Sequence, residues 1–464
     1  MSVLERYIAT ADGWIWGCFL MFLLVGTGVY LTIRLRFVQF RLFFHGWDCV
    51  SGRWDDPEDD GEVTYLQALS TALAATIGTG NIAGVATAIT AGGPGAVFWM
   101  WVTAIVGMST KFTCCMLAHH YRDIRDSEVA GGPMYYLSRG LNMSWLGAAF
   151  AFFAIIASFG IGNMVQANSV VDPFLSKVSS EIHFPVAVTI GAFMASIVAL
   201  VIIGGIRRIA RVAEKIVPFM AMVYVGTALV IIALNFEKVP AAFHAIFAGA
   251  FGVKSALGGA VGYGVREAMR FGIARGLFSN ESGLGSAAIA HAAARTKEPV
   301  REGCVAMLGP FIDTIVICTM TALIIVMSGL YNCQAGELNG AALSAAAFEK
   351  GLPRFGSFVV SFGLIFFSFT TIIGWSYYGD RSVYYLFGRS GRQAAQVYRW
   401  LYVIMIPVGA SIPLKMVWNL ADIANGLMAF PNLVALVGLS GVVANMLRDY
   451  ERRLPDMNRK RQRQ

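Results

Sequence analysis

Apolar runs of about twenty residues recur from one end of the chain to the other. They lie at about 14–34, 66–91, 95–118, 145–170, 185–205, 216–234, 262–292, 303–328, 356–386, 396–413 and 431–447. Each is long enough to cross the ~30 Å hydrocarbon core of a bilayer as a helix. A soluble chain carries about 25% charged residues; this one, of 464 residues, carries 14%, against 56% hydrophobic. Those proportions exclude a soluble enzyme, a disordered protein and a secreted disulfide scaffold. The short alternating strands of an outer-membrane barrel are missing as well. The expected fold class is an all-α polytopic membrane protein of eleven spans.

Basic residues alternate in density between the runs. Loops 34–62, 119–144, 206–215, 293–302 and 387–399 and the tail 448–464 hold most of them. With eleven spans these all fall on one side, so the positive-inside rule gives N-terminus out and C-terminus in. The net charge of +8 therefore reads as topology, with membrane lipids as partners and no nucleic acid. Segment 35–54 mixes Arg36 and Arg41 with Phe37, Phe40, Phe43, Phe44 and Trp47, the pattern of an interfacial helix; 240–258 reads as a second. The acidic run 55–62 reads as a solvated linker. The start, MSVLERYIATADGW, lacks the basic region of a removable signal peptide. Seven cysteines imply no disulfide framework. Cys114 and Cys115, followed by His119 and His120, have no carboxylate nearby to complete a metal site.

Two runs are interrupted. ATIGTGN (75–81) places glycines and an asparagine midway along the second, and ARGLFSNESGLGS (274–286) does the same in the seventh. Five spans separate their starts. Setting the first span aside leaves two groups of five, each opening with a broken helix and inverted relative to the other. Matching breaks in inverted halves point to a secondary transporter's midplane site. The chain accordingly divides into 1–62 (first span and interfacial helix), 63–235 and 236–447 (the two five-span repeats) and 448–464 (a basic cytoplasmic tail).

The start of a half-helix exposes N–H groups to an anion, and the freed carbonyls of the preceding half suit a cation. At the first break Gly78, Thr79 and Gly80 present N–H groups to a carboxylate, and Asn81 adds an amide. Carbonyls of Ala74, Thr76 and Ile77 are candidates for the cation. At the second break Phe278, Ser279 and Asn280 supply carbonyls, a hydroxyl and an amide. Thr370 and Thr371 are hydroxyls in a deeply apolar run, where the ordinary role is a bond to their own helix. Asn163, Gln166 and Asn168 form a polar stripe that reads mainly as a helix end near water. Asp313 has no evident partner.

These residues resemble the sodium:alanine (or glycine) symporter family. The resemblance rests on GGPGAVFWMWVTAIVGMSTKF (92–112), ATIGTGNIAGVA (75–86), GGPMYYL (131–137), FSNESGLGSAAIAHAAA (278–294) and TTIIGWSYYGD (370–380). Departures from the family pattern are Ser282, Ala288, Thr370 and Asp380, in place of alanine, proline, serine and glutamate; the last leaves a gating role for Asp380 open. The resemblance implies a LeuT-like five-plus-five fold that carries Na⁺ and a small neutral amino acid, alanine or glycine, inward. It places the substrate carboxylate on Thr79 and Gly80 with Asn81 alongside. Gln166 and Trp375 become pocket walls, and Leu277 and Phe278 limit side-chain size. One sodium lies among Ala74, Ile77, Thr370 and Thr371, and a second near Thr76, Asn81 and Asn280. No organic cofactor is implied.

Three rivals remain. A channel needs a continuous polar pore, whereas the polar groups here gather at two breaks. An enzyme needs a catalytic constellation, and none is evident in the spans. A proton-coupled or glutamine-preferring carrier of the same fold is closest; the few carboxylates available to relay protons, Glu267, Glu281, Asp313 and Asp380, favour sodium.

Overall fold

The computed structural model describes residues 18–125, 128–175, 179–252, 260–332, 338–412 and 415–462. The expectations for 1–17, the start of the first span and the absent leader, lie outside the described residues, as does the end of the segment 240–258. Each apolar run is helical where described. In chain order the helices used below are α1 (Cys18–Arg34), α2 (Phe43–Val50), α3 (Tyr65–Thr76), α4 (Val85–Gly92), α5 (Gly95–His120), α6 (Pro133–Gly140), α7 (Ser144–Phe159), α8 (Val165–Leu175), α9 (His183–Ile202) and α10 (Gly205–Leu234). The second part continues with α11 (Val239–Phe251), α12 (Ala260–Asn280), α13 (Ala287–His291), α14 (Pro299–Ala306), α15 (Thr319–Ser328), α16 (Gly340–Gly351), α17 (Gly356–Phe387), α18 (Gly391–Ser411), α19 (Lys415–Gly438) and α20 (Ser440–Gln462). A two-stranded antiparallel hairpin, Asp123–Arg125 with Glu128–Ala130, pairs Ile124 with Val129.

Among the described residues, six helical stretches are long and apolar enough to cross a membrane, or eight if each of two bent pairs is one span. One bent pair is α3 with the helix over Gly80–Gly92, turning 56° at the first break. The last apolar run, 431–447, straddles a second 56° bend between α19 and α20, so the basic tail is the end of a helix that begins at Ser440.

α5 lies at the centre, packed on α12, α14, α11 and α1; α17 packs on α7, α3 and α10. α3 starts at a capping box: Gln67 N–H donates to the Thr64 hydroxyl, and the Gln67 side chain accepts from Thr64 N–H. That exchange satisfies two otherwise orphaned donors. α11 meets α5 at Gly95 and Gly249 and sets Phe247 and Phe251 on Phe98. Phe40 and Phe44 of the segment 35–54 are 60% and 77% exposed, presenting rings outward as an interfacial segment would.

The basic-rich loops meet one another at one end of the molecule. Arg41 pairs with Glu451, Arg207 with Glu62, Arg392 with Glu128, and Arg453 with Glu298. The acidic linker is largely exposed, with Asp55, Asp56, Pro57, Glu58 and Asp60 open to solvent; its end is tied down, where Asp59 is buried on Lys297 and Glu62 accepts the Val129 N–H.

Candidate functional site

The first break begins where Ile77 leaves helical geometry at ψ 98; a π turn over Gly80–Gly84 then restarts the helix. Its geometry is held by Asn81. The Asn81 side-chain oxygen accepts the Gly78 N–H at 2.9 Å, and its amide donates to the Asp313 carboxylate at 2.7 Å. The other Asp313 oxygen accepts from Ser279 and Thr314, each at 2.8 Å. Asn280 in turn donates to the Thr314 hydroxyl at 3.2 Å. Both breaks are thereby joined to a π turn over Phe311–Cys318 around one fully buried carboxylate. A buried carboxylate needs this kind of donor set or a compensating charge.

The Thr371 hydroxyl donates to the Phe367 carbonyl at 2.8 Å and lies 3.4 Å from the Ile77 carbonyl. Its neighbour behaves differently. Thr370 donates to the Phe366 and Phe367 carbonyls, both at 3.0 Å, and faces Met220 of α10. Ala74 and Ile77 are buried at the end of α3. The structure thus brings Ile77, Thr371 and the Phe367 carbonyl together, with Thr370 one residue aside. Thr76 donates to its own helix, to Ala72 and Leu73, and its hydroxyl is not brought to Asn81 or Asn280.

Beside the break, Gln166 donates to the Thr79 hydroxyl at 3.4 Å and to the Ile161 carbonyl at 3.1 Å; its own oxygen is buried without a donor among the described residues. Gly80 faces Ser279 and Phe278, whose atoms would stand 3.5–3.7 Å from a Cβ there. Trp375 is 1% exposed and lies on Gly162, where an added Cβ would come within 2.3 Å of it. Leu277 is buried in the apolar core. Thr79 thus meets Gln166 and Gly80 meets Phe278, with Trp375 packed on Gly162. Asn163 and Asn168 do something else: they are buried and donate to the Tyr402 and Gly409 carbonyls. The polar stripe is thus a seam to α18 rather than a helix end in water.

At the second break Glu281 adopts φ 53, and Gly283 and Gly285 adopt φ 93 and 91, a left-handed region that costs a residue with a Cβ about 1–2 kcal/mol. The Gly283 carbonyl accepts from Asn432 at 2.8 Å, and Asn432 accepts from Tyr136. Lys111, 3% exposed, donates to the Asn280 carbonyl at 2.7 Å. Asp380 accepts from Arg381 and Arg399. Sequence reasoning missed Lys111 and the Phe367 carbonyl and left Asp313 unassigned. The signal for Lys111 was present, because an ionisable side chain inside an apolar run is functional by default.

Two interrupted helices that meet at one buried centre within an apolar helical bundle are the pattern of a membrane transporter. The chain belongs to the sodium:alanine symporter family, whose model matches residues 1–464. It is 49% identical to an uncharacterized transporter of Haemophilus influenzae, over 97% of each chain. It is 46% identical to the sodium/alanine symporter AgcS of Methanococcus maripaludis, over 94% of this chain and 95% of that one. Among solved structures, that of MhsT in complex with L-phenylalanine matches with a TM-score of 0.55 at 11% identity, over 84% of this chain and 98% of that chain. The fold is thus all-helical and LeuT-like.

Proposed function

We propose that this protein is a Na⁺-coupled importer of small neutral amino acids, alanine and glycine foremost. It works by alternating access in a bacterial-type plasma membrane, with the N-terminus out and the C-terminus in. Eleven spans form the first helix and two inverted five-span repeats. The observation that carries the reading is the meeting of the Thr371 hydroxyl with the freed Ile77 carbonyl, a cation seat beside the exposed start of the next half-helix. Sodium is held there with Ala74, Thr370 and the Phe367 carbonyl. The substrate carboxylate sits on Thr79 and Gly80, bounded by Gln166, Phe278 and, through Gly162, Trp375. Asn81 fixes the break and links it to Asp313, so cation and substrate sites share one scaffold. The name of the 46% identical relative, a sodium/alanine symporter, agrees with this assignment.

Proton coupling is the second reading, favoured by the burial of the Asp313 carboxylate between the two breaks. Uptake of labelled alanine into proteoliposomes decides between them. An inward sodium gradient at constant pH drives accumulation under the first reading; an imposed proton gradient without sodium drives it under the second. Competition by a panel of amino acids ranks the substrates.

A further inference from the structure

The two broken helices meet again at the basic-loop end of the molecule, where their backbones are stitched together. Just before α3 begins, the Glu62 and Val63 N–H groups donate to the Ala293 carbonyl at 2.9 and 3.3 Å, and the Arg295 N–H donates to the Val63 carbonyl at 2.8 Å. Val63 and Ala294 form a parallel bridge, and both are buried. The approach needs Gly61 (φ 151), where an added Cβ would come within 2.4 Å of the Arg295 Cα. Arg122, just past the end of α5, clamps the same junction. Its guanidinium donates to the carbonyls of Ala292, Ala294 and Thr296 at 2.6–3.2 Å and to that of Asp60 at 2.9 Å. Asp59 closes it by pairing with Lys297 at 2.9 Å.

The helices facing this junction hold it more loosely. A cavity of about 410 Å³ lies between, with Glu62 and Glu128 on the junction side and Arg207, Tyr377, Arg381 and Arg399 on the other. Glu62 accepts the Val129 N–H at 2.7 Å, which keeps the hairpin with the junction. On the far side Asp380 holds Arg381 and Arg399 at 2.8 and 2.7 Å. The pairs that span the cavity are longer: Glu62 with Arg207 at 3.8 Å, and Glu128 with Arg381 and Arg392 at 3.7 and 3.4 Å. Charge-assisted hydrogen bonds close to about 2.7–2.9 Å, and looser pairs near solvent contribute little. One hydrogen bond also joins α3 to α10, from the Gln67 amide to Glu214 at 3.0 Å. Parting the cavity walls therefore breaks few strong polar links. Parting α3 from α13 would strip three backbone bonds and the Arg122 clamp, and buried backbone groups are costly to leave unpaired.

We propose that this cavity is the mouth of the inward path, and that it opens by parting the loose ion pairs while the start of α3 and the end of α13 move as one piece with the end of α5. The proposal rests on the alternating-access reading given above. A swing of the first half of α3 alone is the other way to open the same side, and the backbone bridge and the Arg122 clamp oppose it. The gate is then Glu62 and Glu128 against Arg207, Arg381 and Arg392.

Alanine uptake into proteoliposomes tests this with two cysteine pairs, each joined in detergent by a short bifunctional methanethiosulfonate and released by reductant. Asp59→Cys with Lys297→Cys ties α3 to α13 within the moving piece. Glu62→Cys with Arg207→Cys ties that piece to α10 across the cavity. The first cross-link should leave uptake as it is in the reduced protein; the second should abolish it until reductant is added. Reagent-treated wild type controls for the native cysteines. Loss of uptake in the first pair, or full uptake through the second, would overturn the proposal. Each pair is its own reduced reference, and if Glu62→Cys with Arg207→Cys is inactive when reduced, Glu128→Cys with Arg392→Cys takes its place. Hydrogen exchange reads the junction without transport. The Val63 and Arg295 amides should stay protected in purified protein with and without sodium and alanine, and exchange as fast as that of the exposed linker 55–58 would overturn the proposal. Wild type that carries no alanine would reject the functional reading instead, and the exchange result then decides whether the piece holds together.

Discussion

Thr371 and Ile77 face each other across two helices, hydroxyl to carbonyl at 3.4 Å, and the approach depends on a missing side chain. A Cβ on Gly78 would stand 2.8 Å from the Thr371 oxygen. The glycine that interrupts α3 therefore does two things: it ends the helix, and it admits the hydroxyl of α17 to the carbonyl so released.

Thr371→Ala removes that oxygen. Bonds to charged groups contribute about 1.5–3 kcal/mol, so the sodium concentration for half-maximal uptake should rise at least about tenfold. Thr370→Ala should do less, because that hydroxyl is directed at Phe366 and Met220. Sodium titrations of alanine uptake at fixed alanine make the comparison. Wild-type sodium dependence in the double variant would remove the cation seat from this place.

Asp313 takes three side-chain donors, from Asn81, Ser279 and Thr314. An ionised carboxylate only accepts, and it suits such a set. In Asp313→Asn an amide N–H is forced against a donor, and the charge that unites the breaks is lost. Uptake should collapse while the protein still reaches the membrane. Equal transport by Asp313→Asn and wild type, normalised to folded protein, would show that the carboxylate has no part in coupling.

The pH dependence of stability has an identifiable contributor outside the spans. Burial, helped by the charge of Arg301, pushes the His45 imidazole from 6.5 down to about 4. His45 shares a bond of 2.7 Å with the Tyr450 hydroxyl, which docks α20 onto α2. Because the folded form takes up the proton less readily than the unfolded one, this stabilisation is complete above about pH 6.5 and is lost as pH falls toward 4. The thermal midpoint of purified protein should drop across that window, and His45→Gln should flatten the slope. A variant with the wild-type slope would exclude His45 as the cause.

Local sequence revealed the breaks because glycine and polar residues stand out in an apolar run, and the helices because hydropathy reports burial in lipid. What hydropathy does not report is which polar groups meet. Asn81 and Asp313 are 232 positions apart, and Tyr136 and Asn432 are 296 apart; neither pairing has any local signature. The same limit applies to Asn163 and Asn168, whose partners lie on α18. The bend in the last apolar run left no signal for another reason. Hydropathy follows composition, and the apolar run continues through the bend at Leu439 without a change in character.

Trp375 offers the sharpest test of substrate choice. Its indole lies on Gly162, at the π turn that opens into α8, and makes an edge-to-face contact with Tyr378 at 5.4 Å. A tryptophan buried to this degree either fills the bundle or walls the pocket, and the two roles predict different behaviour. As a wall, Trp375→Leu enlarges the space beside Gln166 and leaves the carboxylate seat at Thr79 and Gly80 alone. A change in apolar pocket volume alters discrimination by about 1–3 kcal/mol per methylene, so larger neutral amino acids should gain roughly tenfold or more against alanine. As filling, its loss opens a cavity and lowers the amount of folded protein, depressing every substrate alike. Gly162→Ala gives the converse, since the new methyl has no room unless the indole shifts; glycine should then be favoured over alanine. Competition profiles of both variants, normalised to folded protein, read the difference, and parallel loss of all substrates would take Trp375 out of the pocket.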